Sequence, residues 1–342
     1  MENQRIVFPA EWAEQCGVML TWPHEKTDWA EMLEEVEICF IAITKAIATR
    51  EKVLIVCRDR ETLSQKLQEC RKADILFAEF PSNDTWARDH GAITTINDGK
   101  VTLYDFTFNG WGMKFAANYD NQINHSLFQS GYFRKEVSYS NMQHFVLEGG
   151  SIESDGEGTI LTTRTCLLSE NRNGYLSEKQ IENKLKELFG IHQVHWLSHG
   201  YLAGDDTDSH IDTLARFCDS STIAYVKCDD LNDEHYQELK QMEDELAALR
   251  RLDNQPYNLI PLPMADAVYE GEQRLPATYA NFLIINGAVL VPFYNSSKDQ
   301  IAKLQLQKGF PEREIVGIDC SALIRQHGSL HCVTMQFPRG VF

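Results

Sequence analysis

The sequence predicts an α/β protein in which a strand–strand–helix–strand unit recurs along one domain. Two observations carry that expectation. Pairs of apolar strand-like runs joined by turn dipeptides return at near-regular intervals, and most pairs are followed by a helical pattern and one further short strand. With Asp98, Asp155, Asp219 and Asn286 as turn markers, the intervals are 57, 64 and 67 residues. A unit that cannot bury its own apolar face needs neighbours, so the copies are expected to share one core, and five of them would suffice to close a ring.

In chain order, Gly17 to Thr21 reads as a strand stopped by Pro23. Residues 31–50 place Met32, Leu33, Val36, Phe40, Ile43, Ala46 and Ile47 at helical spacing. A strand follows at Lys52 to Cys57, a helix at Glu61 to Lys72 and a strand at Ile75 to Phe80. This first segment is a looser copy of the unit. The hairpins are residues 91–106 about Asp98-Gly99, 151–163 about Asp155-Gly156, 214–228 about Asp219, and 279–292 about Asn286-Gly287. Ser177 with Gln180 forms a capping-box pattern that opens a helix to Phe189, and Ser297 with Gln300 is expected to open the last helix in the same way. Asn232 to Leu252 is the remaining helix. The closing strands are Gln193 to Leu197, Asn258 to Leu262 and Glu314 to Ile318. Residues 107–145, aromatic-rich and less regular, read as an insertion or a lid.

Composition narrows the function. The chain has 342 residues, enough apolar content for a large core, and no interdomain linker, so residues 1–342 are expected to form one domain. Its formal net charge of −18 repels nucleic acid phosphates and anionic membranes and favours small cations. No apolar run reaches membrane-spanning length. The nine cysteines are odd in number and scattered, with no Cys-Xaa-Xaa-Cys pair, which argues against a disulfide framework or structural zinc and for reduced thiols in the cytoplasm.

The densest polar stretch is Gly204-Asp-Asp-Thr-Asp-Ser-His-Ile-Asp212. In an extended chain, His210 and Asp212 would leave on one face. Histidine can carry protons both ways near neutral pH, and a carboxylate can accept from a planar cation through both oxygens. Similar clusters stand just before other first strands: Trp86-Ala-Arg-Asp-His-Gly91, Glu148-Gly-Gly-Ser151 and Gly328-Ser-Leu-His-Cys332. In a ring of equivalent units, equivalent positions meet. Asp89, Glu148, His210, Asp212 and Cys332 would then share one site, with Cys332 as a thiol nucleophile needing a proton partner and a cation nearby. A divalent-metal site at Asp205–Asp212 is the chemical rival. It lacks the glycine and glutamate of an EF-hand loop and the second histidine of a zinc site, so no metal is expected.

These motifs, with Leu168-Xaa-Xaa-Asn-Arg-Asn173, Phe108-Asn-Gly-Trp-Gly112 and Trp22-Pro23, follow one another in an order that resembles the agmatine deiminase family, which includes the bacterial peptidylarginine deiminase type. The resemblance covers nearly the whole chain. It implies a five-bladed α/β-propeller, the pentein fold, of ββαβ units around a pseudo-fivefold axis. It also implies hydrolysis of a guanidinium to a ureido group with release of ammonia, for agmatine giving N-carbamoylputrescine in putrescine synthesis. Carried over motif by motif, Cys332 is the nucleophile and His210 the general acid and base, oriented by Glu148. Asp89 and Asp212 grip the guanidinium, Asp206 helps hold agmatine, and Trp86 and Trp111 wall the pocket. No cofactor is implied, and a homodimer is. The chain departs from the family in reading His90-Gly91-Ala92 for Thr-Gly-Pro and His327-Gly-Ser-Leu330 for Gly-Gly-Asn-Ile. Both stretches adjoin the site, which leaves agmatine, peptidylarginine, free arginine and a non-catalytic polyamine-binding role as alternatives.

Overall fold

The computed structural model describes residues 6–70 and 74–342. Among them, a mixed α/β architecture carries five principal sheets of three or four strands and one two-stranded ribbon. Three sheets share one pattern, an antiparallel hairpin whose second strand pairs in parallel with a third strand after a helix. These are Ile152–Ser154, Thr159–Thr163 and Gln193–Leu197; Ala215–Asp219, Thr222–Lys227 and Asn258–Pro263; and Leu283–Ile285, Ala288–Phe293 and Glu314–Asp319. Parallel pairing requires a long crossover, and the helices Glu178–Phe189, Tyr236–Ala248 and Asp299–Gly309 supply it.

The region expected to be an insertion turns out to complete a unit of the same kind. Hairpin strands Ile93–Asn97 and Lys100–Thr107 are followed by helix Asp120–Gln129, and strand Ser138–Val146 then pairs in parallel with Lys100–Thr107. The sequence conceals this because the helix reads DNQINHSLFQ and the strand SYSNMQHFV, both largely polar. In the remaining sheet, strand Gln15–Thr21 pairs in parallel with Lys52–Cys57, which pairs in parallel with Ile75–Glu79, while Thr334–Pro338 from the far end of the sequence pairs antiparallel with Gln15–Thr21.

Local signals hold where a mechanism stands behind them. Helix Leu33–Ala48 buries Val36, Phe40, Ile43 and Ile47, and Ser177 with Gln180 forms the capping box. The second helix is shorter than expected, Arg60–Lys66, and the end predicted at residues 71–72 lies outside the described residues. Ser297 does not cap the last helix: its N–H donates to Asp266, and the Asp299 carboxylate takes up the Tyr294 and Ser296 N–H groups. The interior also divides into three apolar clusters, not one. Strand alternation explains the division. Val18, Leu20, Val53 and Ile55 face one cluster, and Met19, Leu54 and Val56, on the opposite faces of the same strands, join another.

Candidate active site

Five segments deliver the polar groups, and each stands just ahead of a strand that pairs antiparallel with its neighbour in a sheet. Asp89 sits in the short helix Ala87–His90, Glu148 precedes the turn Gly149–Ser151, His210 and Asp212 flank Ile211, and Cys332 lies in the turn leading into Thr334–Pro338. The fifth sheet contributes Asn281, two residues before Leu283, which the sequence reading missed. Its position relative to the strand, matching the other four, was the available signal.

Asn281 Oδ1 accepts from the N–H of His331 at 2.8 Å, from the N–H of Cys332 at 3.3 Å and from the Cys332 thiol at 3.4 Å. Asp89 accepts from Trp111 Nε1 at 2.8 Å through one oxygen and from the Gly150 N–H at 3.0 Å through the other. His210 Nδ1 stands 3.6 Å from Asp89 Oδ1, while His210 Nε2 and Asp212 Oδ1 are buried without a partner among the described residues. Asp212 was expected to reach its neighbour from an extended strand. It lies instead in a single 3₁₀ turn, Ile211–Thr213, and the strand starts only at Ala215.

What brings the two side chains together is Gly150. A Cβ there would lie 2.7 Å from His210 Nδ1, 2.9 Å from Asp89 Oδ1 and 3.0 Å from Asp212 Oδ2. The missing side chain is therefore the space into which three functional groups point. Gly150→Ala is expected to leave the fold intact, as judged by circular dichroism, and to lower kcat/KM about 10²-fold through displacement of those groups. Activity within threefold of the wild type would mean that the three groups need not converge there.

Glu148 is fully buried, and both its oxygens accept from Arg172 Nε, at 2.9 and 3.0 Å. One of its oxygens lies within 4.8 Å of a His210 ring nitrogen, but the two make no hydrogen bond. Glu148 thus touches His210 through no hydrogen bond of its own, and Arg172 takes up its carboxylate. Arg172 also donates to Asp208 and to the carbonyl of Thr207, tying Glu148 to the loop that carries His210. Within that loop Asp205 accepts from the Thr207 and Ser209 N–H groups, and Lys114 clamps Asp208 and the carbonyl of Asp206.

An open pocket of about 450 Å³ meets this cluster. Cys332, Asp89, Trp86, Trp111 and Phe115 line it, together with Asp28, Asp84, Asp206 and His327. Trp86 and Trp111 meet edge to face at 6.0 Å, and Trp86 Nε1 donates to Asp84. Gly328 passes so close beneath Trp86 that an added Cβ would overlap the ring. Trp22, by contrast, packs on Phe40 in the core. Arg88 and Arg216 face away from the pocket, toward Glu11. His90, where the family usually has threonine, is buried against Thr21.

Charge in the empty site is poorly compensated. Burial pushes the Asp89 carboxyl up to about 7, with Glu148 adding to the effect. Burial and then Asp89 raise Asp212 well above its usual range. Burial, then Asp212 and Asp89, likewise push the Cys332 thiol far up. Burial, followed by the charges of Arg172, Lys114 and His331, keeps His210 well below its ordinary value. The empty site thus favours a neutral thiol and imidazole, and a cation placed between Asp89 and Asp212 would reverse the balance.

Burial also raises Glu51 and Asp120 to about 7 and Asp84 to about 6. These folded-state values exceed those of unfolded carboxylates, about 4. Through these acids the folded protein binds more protons than the unfolded chain between about pH 4 and 7, a contribution to stability that is lost as pH rises; His90 and His195, which burial holds at about 3 and 4, contribute in the opposite sense below about pH 6.5. Glu51→Gln is therefore expected to raise the melting temperature relative to the wild type more at pH 7.5 than at pH 5. A difference that is the same at both pH values would show that Glu51 is ionised throughout.

The Porphyromonas-type peptidyl-arginine deiminase family model matches residues 7–338. An agmatine deiminase of Stutzerimonas stutzeri is 33% identical over 358 residues, spanning 97% of this chain and 95% of its own length. A C. jejuni agmatine deiminase, solved as a cysteine-to-serine variant with substrate bound, is 41% identical with a TM-score of 0.92 and covers 100% of this chain and 99% of its own. A solved Porphyromonas gingivalis protein proposed to be an arginine deiminase is 55% identical with a TM-score of 0.94, covering 98% of this chain and 99% of its own. With a family model spanning almost every described residue and relatives aligned from end to end, the chain belongs to the Porphyromonas-type peptidyl-arginine deiminase family.

Proposed function

We propose that the protein hydrolyses the guanidinium group of agmatine to N-carbamoylputrescine and ammonia. The observation that carries the choice of substrate is the charge of the pocket. Asp89 lies in its lining beside Cys332, Asp28 and Asp206 stand on its more exposed side, and its lining holds no arginine or lysine. Agmatine is a dication with a guanidinium at one end and an ammonium at the other, and these acids suit it. The carboxylate of free arginine would meet those acids with no arginine or lysine in the lining to pair with it.

The chemistry follows from the charges. Guanidinium carbon is a weak electrophile because its charge is delocalised, so attack depends on positioning. Asp89 and Asp212 hold the nitrogens. The arriving cation stabilises the Cys332 thiolate, and the thiol proton passes to His210. Sulfur adds to the guanidinium carbon, His210 protonates one amino nitrogen, ammonia leaves, and a covalent thiouronium remains. His210 then takes a proton from water, the hydroxyl adds to the same carbon, the C–S bond breaks with the electron pair returning to sulfur, and the ureido product departs. Trp86 and Trp111 exclude bulk water, which strengthens the contacts to the carboxylates. No cofactor enters any step.

The five sheets, each offering a polar group from the same place ahead of an antiparallel-paired strand, support a five-bladed pentein propeller in one catalytic domain. The test of function is ammonia release with agmatine, free arginine and a peptidylarginine in parallel. Turnover of either arginine compound without turnover of agmatine would overturn the choice of substrate.

A further inference from the structure

The residue before the thiol has a geometry that the mechanism above leaves unused. His331 is 2% exposed and lies between two carboxylates. Its Nδ1 stands 2.7 Å from Asp212 Oδ2, and its Nε2 stands 2.7 Å from Glu11 Oε2. Each of these two short contacts needs one hydrogen. If both carboxylates are ionised, both hydrogens sit on the ring and His331 is an imidazolium. If the ring is neutral, Asp212 or Glu11 carries a hydrogen. The two forms have the same net charge and differ only in the position of one proton.

We propose that His331 is a positioning residue that takes the proton of Asp212 when a guanidinium docks, so that Asp212 meets the substrate as a carboxylate without exchanging a proton with solvent. This rests on the reading of the site as a guanidine hydrolase. In the empty site the Asp212 O–H donates to Nδ1, and Nε2–H donates to Glu11. When substrate arrives, the O–H bond of Asp212 breaks and an N–H bond forms at Nδ1. Both hydrogen bonds survive, with the first now donated by the ring.

The surroundings favour each form in turn. Asp212 Oδ1 is buried and unpartnered, and an ionised carboxylate in that condition is costly. Asp89, Asp205 and Glu11 act on Asp212 with like charge and Arg88 with opposite charge. A guanidinium on Oδ1 removes that cost. Glu11, meanwhile, is fixed as an anion: against its burial, Arg216, His331 and Arg88 hold its carboxyl far below the usual range. Glu153 also lies within 4.8 Å of the ring. Burial, then Arg216 and Arg88, hold the His331 ring well below its ordinary value in the empty site, so the imidazolium needs the anions that flank both of its nitrogens. On the pocket side, Cys332 feels the charge of Asp212, and His210 feels that of His331.

The direct test uses full-length Cys332→Ala protein labelled with ¹⁵N-histidine. Ring-nitrogen signals are read with and without agmatine, and the His331 signals are assigned by their loss in His331→Gln. The expected result is that His331 Nδ1 changes from a bare to a protonated nitrogen on binding. A ring already doubly protonated in the empty protein, or an Nδ1 that stays bare, overturns the proposal. Kinetics give a second reading, since glutamine can bridge the carboxylates but cannot store the proton. For His331→Gln, kcat/KM is expected to fall about 10²-fold at pH 7 and to recover by about tenfold per pH unit above it. A loss that is equal at every pH would mark a purely structural role and overturn the proposal. Ammonia release by the wild type is measured alongside. Its absence would overturn both the hydrolase reading and this one, whereas wild-type turnover with an unresponsive His331 would overturn this one alone.

Discussion

Cys332→Ala is expected to abolish ammonia release, by at least about 10⁴-fold in kcat, while agmatine still binds. The two outcomes separate because Asp89 and Asp212 draw nothing from the sulfur: the thiol hydrogen-bonds to Asn281 and to the backbone of Ser329, and burial, then its neighbouring acids, raise its proton affinity. Removing it deletes the bond-forming atom and leaves the cation site in place. Calorimetry with agmatine and an ammonia assay on the same sample check both halves. Turnover within tenfold of the wild type would point to another nucleophile. Cys166, which shares the neighbourhood of His210 and Glu148, would be examined first, although it is completely buried and lines no part of the pocket.

Asp89→Asn is expected to cost about 3–5 kcal/mol of transition-state binding, a loss of roughly 10²- to 5 × 10³-fold in kcat/KM. Two effects add. The guanidinium loses a buried counter-charge. The asparagine must also present its NH₂ group to either Trp111 Nε1–H or the Gly150 N–H, both of which donate to Asp89. The wild-type profile supplies a further check. Burial holds this carboxyl near 7, so kcat/KM for the wild type should rise with pH through about 7 as the group ionises. In the variant that rise should disappear at this residue's value. A variant whose kcat and KM both stay within threefold of the wild type would remove Asp89 from the reaction.

The legible parts of this chain are those in which one residue type can do one thing. The Asp98-Gly99 turn, the Ser177–Gln180 box and the apolar face of Leu33–Ala48 each follow from a local rule and form as expected. Asp89, Glu148, His210, Asp212 and Cys332 were found by their shared place before a strand, a relation that survives although Asp212 is not in extended backbone. What stayed hidden depends on partners remote in sequence. Ser297 carries the right residue for a cap, but its N–H is claimed by Asp266. Asn281 and His331 look ordinary until the fold sets one beneath the thiol and the other between Glu11 and Asp212. Arg172 stands in a recognisable motif, yet its claim on Glu148 depends on a loop more than thirty residues further on.

The pairing of Thr334–Pro338 with Gln15–Thr21 has a bearing on how activity is acquired. The register sets Thr334 opposite Leu20, so the clasp joins segments more than three hundred positions apart in sequence. Contacts of such long range form late, because the intervening polypeptide must first be ordered. The nucleophile sits two residues ahead of that clasp and gains its place only when the clasp shuts. A nascent or truncated polypeptide without the last strand would hold the acids and the imidazole but no sulfur poised between them. Reactivity would then switch on in a single step, as the clasp shuts.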